Sequence, residues 1–278
     1  MRGKKIWIAR VAVSVVLIIT GLYVVCLLAL TLAQRRLMYF PCLTSQAELR
    51  AAAKRAGFEE WFNSEGQGIG WQRRSRGGNA RRCILLFHGN AGCAPDRFHY
   101  ADAFQAVEPI DFFIMEYPGY GGRPGKPSQS TILRAADDAL KAIPATCSLH
   151  VVAESLGTGV AAWLAATYPD RVRGLFLVAP YTSMSAAAQK HLPLFPVKVM
   201  LRDKYPASEW LKRYSGPVAV LLAGKDEVVP TELGQKLFDA YHGPKKLWIE
   251  ADAGHNEVHE PRAGTWREVL EFWDANAR

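Results

Sequence analysis

Apolar and polar positions alternate in blocks through most of this chain. Six short apolar runs predict β-strands, at Cys83–Phe87, Phe112–Glu116, Leu149–Ala153, Gly174–Val178, Val218–Ala223 and Leu247–Ile249. Stretches with helical periodicity lie between them, at Thr131–Lys141, Leu156–Thr167 and Thr231–Tyr241. Strands that are apolar throughout and alternate with helices are typical of a parallel sheet covered on both faces. We therefore predict the α/β fold class, with a mostly parallel central sheet.

Other regions depart from this alternation. Residues 44–60 have the pattern of a short amphipathic helix followed by a turn at Gly57, and residues 61–82 have the composition of one or two short antiparallel strands. Residues 183–214 interrupt the alternation with the apolar segment Leu192–Pro196 and a mixed helical run. An insertion after a mid-sheet strand predicts a small lid over a site.

An uncharged apolar run from Val11 to Ala33 precedes all of these elements. As a helix it is long enough to cross the ~30 Å hydrocarbon core of a bilayer. A secretory signal peptide is the competing interpretation, because basic residues precede the run and Thr31-Leu32-Ala33 resembles a cleavage site. The apolar region of a signal peptide, however, extends over only about 7–15 residues. The pattern favours a single-pass membrane anchor over residues 1–36, followed by one domain over residues 37–278.

The net charge of +8 arises mostly at the ends of this apolar run. The first acidic residue is Glu48, and the flanking basic residues are Arg2, Lys4, Lys5, Arg10, Arg35 and Arg36. Without these six the net charge is near +2, so the basic balance indicates a membrane segment and argues against nucleic acid as a partner. Four of the six precede the run. This bias predicts a cytoplasmic N-terminus and a domain on the non-cytoplasmic side.

The five cysteines are scattered, with no Cys-x-x-Cys spacing. Their distribution argues against a disulfide scaffold and indicates no metal site, and we predict neither a metal nor an organic cofactor. Cys83 opens an apolar run, where a cysteine is typically a small buried hydrophobic residue.

Ser155 follows the apolar run Leu149–Ala153 and immediately precedes a helical pattern. A serine on such a sharp turn has its hydroxyl exposed and the N-terminus of the helix behind it. The usual motif is Gly-x-Ser-x-Gly, and Ala153 here replaces its first glycine while Gly157 supplies the second. A serine that only caps the helix is the alternative. The position between a buried strand and a helix favours a nucleophile.

A serine nucleophile needs a base and an acid that orients the base, in the chain order Ser, Asp, His for this architecture. Ligands of parallel sheets bind at the carboxyl ends of the strands. Asp226 follows the run Val218–Ala223, and His255 follows the last predicted strand. His259 is the alternative base, although no glycine precedes it, and Asp252 and Glu227 are alternative acids that we interpret as solvated loop residues.

Two main-chain NH groups are expected to bind the developing oxyanion. Leu156 supplies one from the turn, and Asn90 supplies the other from the loop His88-Gly89-Asn90 that follows the first strand. His88 is itself a possible base, but a structural histidine that braces this loop is the favoured interpretation. The loop Tyr117–Gly121 follows another strand and is predicted to lie at the rim of the pocket. Basic residues at 73–82 are interpreted as a charged hairpin, with headgroup contact as the alternative.

Seven motifs in order resemble one known family. They are QRRLMYFP after the anchor, HGNAG, YPGYGG, ESLGTGVA, PYTSM, GKDEVVP and AGHN. Together they cover essentially the whole chain and resemble the Bem46-type branch of the α/β-hydrolase superfamily, which includes membrane-associated ABHD13-like and ABHD17-like proteins. The resemblance implies the fold, a Ser155–Asp226–His255 triad and oxyanion contacts at Asn90 and Leu156; Ala153 departs from the usual motif. Some ABHD17-like proteins remove palmitate from proteins, but a shared fold does not define a substrate.

The sequence therefore predicts a membrane-anchored serine hydrolase that cleaves a carboxylic ester or thioester through an acyl-enzyme. The apolar lid segment and the anchor suggest a lipid-derived substrate or an acylated protein. A peptidase or amidase would use the same triad, although such an enzyme normally has a larger cap. The alternative that is not an enzyme is a non-catalytic scaffold that holds partner proteins at the membrane.

Overall fold

The apolar runs form one central sheet in the computed structural model, which describes residues 2–75, 77–258 and 264–277. The strands are β1 (Phe40–Pro41), β2 (Glu59–Phe62), β3 (Gly68–Arg73), β4 (Arg82–Phe87), β5 (Ala91–Gly92), β6 (Ile110–Met115), β7 (Ser148–Glu154), β8 (Val172–Val178), β9 (Val218–Ala223) and β10 (Lys245–Glu250). Eight of them pair in the order β10-β9-β8-β7-β4-β6-β3-β2. The pairs from β10 to β6 are parallel, while β3 runs antiparallel to β6 and β2. The predicted fold class is confirmed.

Helices cover both faces of this sheet. They are α1 (Arg2–Met38), α2 (Gln46–Arg55), α3 (Phe98–Gln105), α4 (Gln129–Ala142), α5 (Leu156–Thr167), α6 (Met184–His191), α7 (Val197–Met200), α8 (Ala207–Leu211), α9 (Thr231–Ala240) and α10 (Thr265–Ala275). Helices α4, α5, α8 and α9 pack into one apolar core, and α2, α3 and α10 pack into the other. The predicted short helix and antiparallel strands in residues 44–82 correspond to α2, β2 and β3.

Strand β4 shows why the central strands read as uninterrupted apolar runs. Cys83, Leu85 and Phe87 enter the core beneath α4 and α5, whereas Ile84 and Leu86 enter the core beneath α3 and α10. Successive side chains of a strand point to opposite faces of a sheet. A strand buried on both faces therefore requires an apolar residue at every position.

The structure differs from the sequence-based interpretation at Cys83. Its sulfur is bonded to Cys147, which lies just before the neighbouring parallel strand β7. The interpretation of Cys83 as a simple buried hydrophobic residue was wrong. The sequence does not reveal this pairing because the two cysteines are 64 residues apart and become neighbours only through the strand order.

Helix α1 continues to Met38, beyond the run of uncharged residues, and the chain then joins the domain through β1. Phe40 and Pro41 of β1 pair in parallel with Ala91 and Gly92 of β5, which belongs to the loop after β4. The predicted lid corresponds to α6, α7, α8 and their connecting loops. Within the described residues α1 is long and apolar enough to cross a membrane.

Candidate active site

Ser155 lies between β7 and α5 in a backbone conformation that few residues adopt. Its φ is 47° and its ψ is −117°. A non-glycine residue in this region carries strain of roughly 1–3 kcal/mol, and such strain concentrates at functional sites. Gly157 makes the turn possible, because a Cβ there would lie 2.2 Å from the carbonyl oxygen of Phe87. Ala153 is fully buried in β7, so the methyl group that departs from the usual motif is accommodated.

The imidazole of His255 lies between Ser155 and Asp226. Its Nε2 is 3.1 Å from Ser155 Oγ, and its Nδ1 is 2.7 Å from Asp226 Oδ2. The other carboxylate oxygen, Asp226 Oδ1, accepts hydrogen bonds from the main-chain NH groups of Val228 and Val229 at 2.9 Å and 2.6 Å. The two buried side chains are thus held in line with a serine that follows a different strand.

The alternative base and acids have other positions. His259 lies outside the described residues. Asp252 is 94% exposed and pairs with Lys225, while Glu227 is an exposed loop residue, as expected for solvated side chains. The loop that bears His255 is held by Glu257, whose carboxylate accepts a hydrogen bond from the main-chain NH of Gly254 at 2.7 Å.

The loop after β4 approaches the serine closely. A Cβ at Gly89 would lie 3.7 Å from the Cβ of Ser155, and Asn90 borders the same cavity as Ser155. Leu156 is the first residue of α5, where main-chain NH groups have no partner within the helix. The structure therefore brings the two predicted oxyanion donors, Asn90 and Leu156, to the side of Ser155.

The side chains of His88, Tyr117 and Tyr120 form hydrogen bonds to main-chain carbonyl groups of this loop. His88 Nδ1 lies 2.8 Å from the carbonyl oxygen of Gly89, and because a carbonyl only accepts, the proton belongs on Nδ1. The hydroxyl of Tyr117 donates to the carbonyl of His88 at 2.6 Å, and that of Tyr120 donates to the carbonyl of Asn90 at 2.7 Å. Both tyrosines are fully buried and neither lines the cavity beside Ser155, so placing the Tyr117–Gly121 loop at the pocket rim was wrong.

An apolar cavity of about 320 Å³ opens beside Ser155. Its walls come from the lid, from Asn90, from Val228 and Val229 near the acid, and from the last turns of α1. Among the residues that the structure describes, no group of three or more His, Cys, Asp or Glu side chains is arranged to hold a metal ion.

With this geometry in place, comparison with known proteins defines the family. Residues 83–207 match the model of a family described by the alpha/beta hydrolase fold. An uncharacterized protein of Mycobacterium tuberculosis strain H37Rv is 31% identical over 233 residues, which are 81% of this chain and 81% of that protein. The chain belongs to the α/β-hydrolase superfamily.

Named relatives of this hydrolase are of the ABHD type. Alpha/beta hydrolase domain-containing protein 17B of Xenopus tropicalis is 29% identical over 188 residues, or 65% of this chain and 62% of that protein. The lysophosphatidylserine lipase ABHD12 of Mus musculus is 27% identical over 205 residues, or 64% of this chain and 50% of that protein. An esterase of Pyrococcus furiosus shares the fold with a TM-score of 0.63 at 15% sequence identity, over 86% of this chain and 97% of that structure.

The hydrolase also contains a buried ion pair that the sequence-based prediction missed. Glu154, 1% exposed and adjacent to Ser155, accepts hydrogen bonds from the main-chain NH of Gly89 at 2.9 Å and from Arg97 Nε at 2.5 Å. The hydroxyl of Tyr100 also donates to it, and burial raises the pKa of this phenol well above its ordinary value. Burial opposes the charge of Arg97, but the Glu154 carboxylate outweighs it and raises the pKa of the guanidinium. Glu154 in a buried strand was the available signal, because buried acids almost always have a partner.

Three of the arginines in residues 73–82 of the hydrolase pair with acids. Arg73 binds Asp102, Arg74 binds Asp111, and Arg82 binds Glu108 and Asp274. Arg76 lies outside the described residues.

Proposed function

We propose that this protein is a membrane-anchored serine hydrolase that cleaves carboxylic esters or thioesters through an acyl-enzyme. The observation that carries the proposal is the alignment of three side chains from separate strand ends, with His255 Nε2 3.1 Å from Ser155 Oγ and His255 Nδ1 2.7 Å from Asp226 Oδ2. Distances of this length lie within the range for proton transfer to a general base.

In the acylation step, Ser155 Oγ attacks the carbonyl carbon of the substrate as its proton moves to His255 Nε2. The carbonyl π electrons move to the oxygen, and the NH groups of Asn90 and Leu156 stabilise the resulting oxyanion. Collapse of this intermediate breaks the carbon–oxygen or carbon–sulfur bond, and the leaving alcohol or thiol takes the proton from His255. Asp226 holds the imidazole in the tautomer that this transfer requires.

In the deacylation step, a water molecule takes the place of the leaving group. His255 removes one of its protons while the oxygen attacks the acyl carbon, and the proton then returns to Ser155 Oγ. The products are a carboxylic acid and the regenerated serine, so no oxidant, reductant or cofactor is needed to balance the reaction.

The apolar cavity beside Ser155 supports an acyl substrate. The name of the relative ABHD12 describes a lysophosphatidylserine lipase, and the fold is shared with an esterase, which also supports ester hydrolysis. A lipid-derived ester or an acylated protein fits an apolar site beside a helix long enough to span a membrane.

Hydrolysis of short p-nitrophenyl esters by the full-length protein tests this function. Ser155→Ala is expected to abolish hydrolysis and labelling by a fluorophosphonate probe while the protein remains folded. Ser208→Ala, in the lid helix α8, is the matched control and should retain both activities. Wild-type rates in Ser155→Ala would refute the assignment of the nucleophile. A well-folded wild-type protein that neither reacts with the probe nor hydrolyses esters would instead indicate a scaffold.

We also propose that the catalytic domain lies on the non-cytoplasmic side of the membrane. Four basic residues precede the apolar run and two follow it closely, which favours a cytoplasmic N-terminus. The disulfide between Cys83 and Cys147 is an independent argument, because such bonds persist mainly in oxidising compartments. A reporter that folds only in an oxidising compartment, fused after Arg278, should be active. Activity restricted to a reporter that requires the cytoplasm would refute the orientation.

A further inference from the structure

Helix α1 packs against the lid instead of leaving the domain free on a tether. The hydroxyl of Tyr23 donates to the carbonyl of Leu194 at 2.9 Å, and the rings of Tyr23 and Phe195 stack with centroids 5.6 Å apart. Further along the helix, Gln34 Oε1 accepts a hydrogen bond from the main-chain NH of Arg202 at 2.7 Å. From Tyr23 to Gln34 these contacts extend over about 16 Å of helix axis.

A polar cluster fixes the end of the helix. Asp203, which is 4% exposed, accepts hydrogen bonds from Arg35 Nε at 2.9 Å and from the hydroxyl of Tyr39 at 3.1 Å. The hydroxyls of Tyr39 and Tyr205 are 3.1 Å apart. A buried carboxylate is stable only with such partners, so displacing the helix would leave Asp203 uncompensated. The helix therefore has a defined position relative to the lid.

One face of α1 is a wall of the cavity that contains Ser155. The residues that line it are Leu30, Thr31, Gln34, Leu37 and Met38. Their spacing places them along a single side of a helix. Leu28 and Leu32, on the other side, are 59% and 80% exposed. The two polar side chains of the wall bond to the helix itself, with Thr31 Oγ1 donating to Leu27 O and Gln34 Nε2 donating to Thr31 O.

The α1 wall of the cavity begins beside the loop after β4 that carries Asn90. Asn90 Nδ2 donates to the carbonyl of Met38 at 2.8 Å, and the main-chain NH of Phe40 donates to the carbonyl of Asn90 at 2.9 Å. From Met38 to Leu30 the helix rises about 12 Å. An extended chain advances about 1.2 Å per backbone bond, so this length corresponds to an acyl chain of on the order of ten carbons. The cavity volume of about 320 Å³ is at the lower limit for small-molecule sites, which favours one chain over two.

The surroundings of the cavity indicate the direction from which the acyl chain of the substrate enters. Leu30 and Thr31 belong to the uncharged run that ends at Ala33, so a spanning α1 places them at the depth of the hydrocarbon. The lid tip, which contacts α1 at Tyr23, carries Leu194 and Val199, which are 80% and 82% exposed. Exposed apolar side chains next to a spanning helix mark a surface that enters the same leaflet.

We propose that the last turns of α1 are part of the substrate-binding site. Together with the lid they hold a single acyl chain, which enters laterally from the leaflet, and the α1 wall sets the preferred chain length. This inference rests on the proposed ester or thioester hydrolysis at Ser155 and assigns the specificity of that site to the anchor helix.

The test compares p-nitrophenyl esters of increasing acyl length on full-length protein in lipid vesicles. Each methylene of the acyl chain that can no longer be buried in the cavity is expected to lower kcat/KM about fourfold. Thr31→Trp places an indole ring in the cavity and should lower the ratio of kcat/KM for the decanoyl ester to that for the acetyl ester about tenfold or more. Leu30→Ala shortens a side chain that lines the cavity, so it enlarges the cavity and should shift the preferred acyl length to longer chains. Leu32→Trp adds the same ring on the exposed face and should leave the ratio at the wild-type value.

The outcomes separate this inference from the function on which it rests. If wild-type protein hydrolyses the acetyl ester but Thr31→Trp and Leu32→Trp have the same chain-length profile, the anchor is not part of the site. If Thr31→Trp and Leu30→Ala shift the optimum in the same direction, the effect is loss of packing and the inference is wrong. If wild-type protein hydrolyses no ester and Ser155 is not labelled, the proposed function fails together with the inference.

Discussion

A buried ion pair lies next to the turn that carries Ser155. Arg97 bonds to the carboxylate of Glu154, which is almost completely buried one residue before Ser155. Arg97→Met keeps most of the side-chain volume but removes the charge and the donors. Removing one partner of a buried ion pair typically destabilises a protein by about 3–5 kcal/mol, because the other charge remains desolvated.

The expected loss of stability is large enough to measure by thermal unfolding. For a domain of this size, 1 kcal/mol corresponds to a shift of about 2–4 °C in Tm, so Arg97→Met should lower Tm by on the order of 10 °C. The rate should also fall, because Glu154 accepts the NH of Gly89 and thereby positions the loop beside Ser155. A displacement of about 1 Å at such a site costs up to on the order of 100-fold in rate.

Thermal unfolding at a fixed scan rate, together with kcat for a short ester, would check both effects. Arg74→Met is the matched control, because its ion pair with Asp111 is partly exposed and such pairs contribute about 1 kcal/mol or less. Arg97→Met combined with Glu154→Gln should recover part of the lost stability, since the amide oxygen still accepts from Gly89. If Arg97→Met unfolds within 2–3 °C of wild type, a shift of about 1 kcal/mol, the ion pair contributes no more to stability than a surface pair does.

Two further predictions concern the orienting acid and a buried histidine. Asp226→Asn should lower kcat for ester hydrolysis by about 10⁴-fold, because the imidazole of His255 would adopt the wrong tautomer. Asp252→Asn is the control and should not alter this rate, because the Asp252 side chain is 94% exposed. Equal rates for the two variants would exclude Asp226 as the residue that orients the imidazole. Burial, assisted by the Arg82 guanidinium, lowers the pKa of His150 to about 3. Below its unfolded pKa of about 6.5 the unfolded chain binds a proton that the folded chain does not, so stability falls as the pH falls, by about 2 kcal/mol at pH 5. His150→Gln should flatten the dependence of the unfolding free energy on pH between 7 and 5, and an unchanged slope would contradict this origin.

The sequence determined the elements and the places where chemistry is possible. Apolar runs such as Val218–Ala223 and helical stretches such as Thr231–Tyr241 correspond to β9 and α9, because burial on both faces of a strand and on one side of a helix leaves a local pattern. Ser155, Asp226 and His255 were predicted as site residues from their positions just after strands, since parallel strands bring these positions to one edge of the sheet.

Only the tertiary structure decided which distant residues meet. The bond between Cys83 and Cys147, the ion pair of Glu154 with Arg97 and the contact of Arg35 in α1 with Asp203 join residues separated by 64, 57 and 168 positions. No local pattern encodes such pairings, because they depend on the strand order and on how the lid folds back over α1. Periodicity reports whether a side chain is buried, whereas its partner is set by the path of the whole chain.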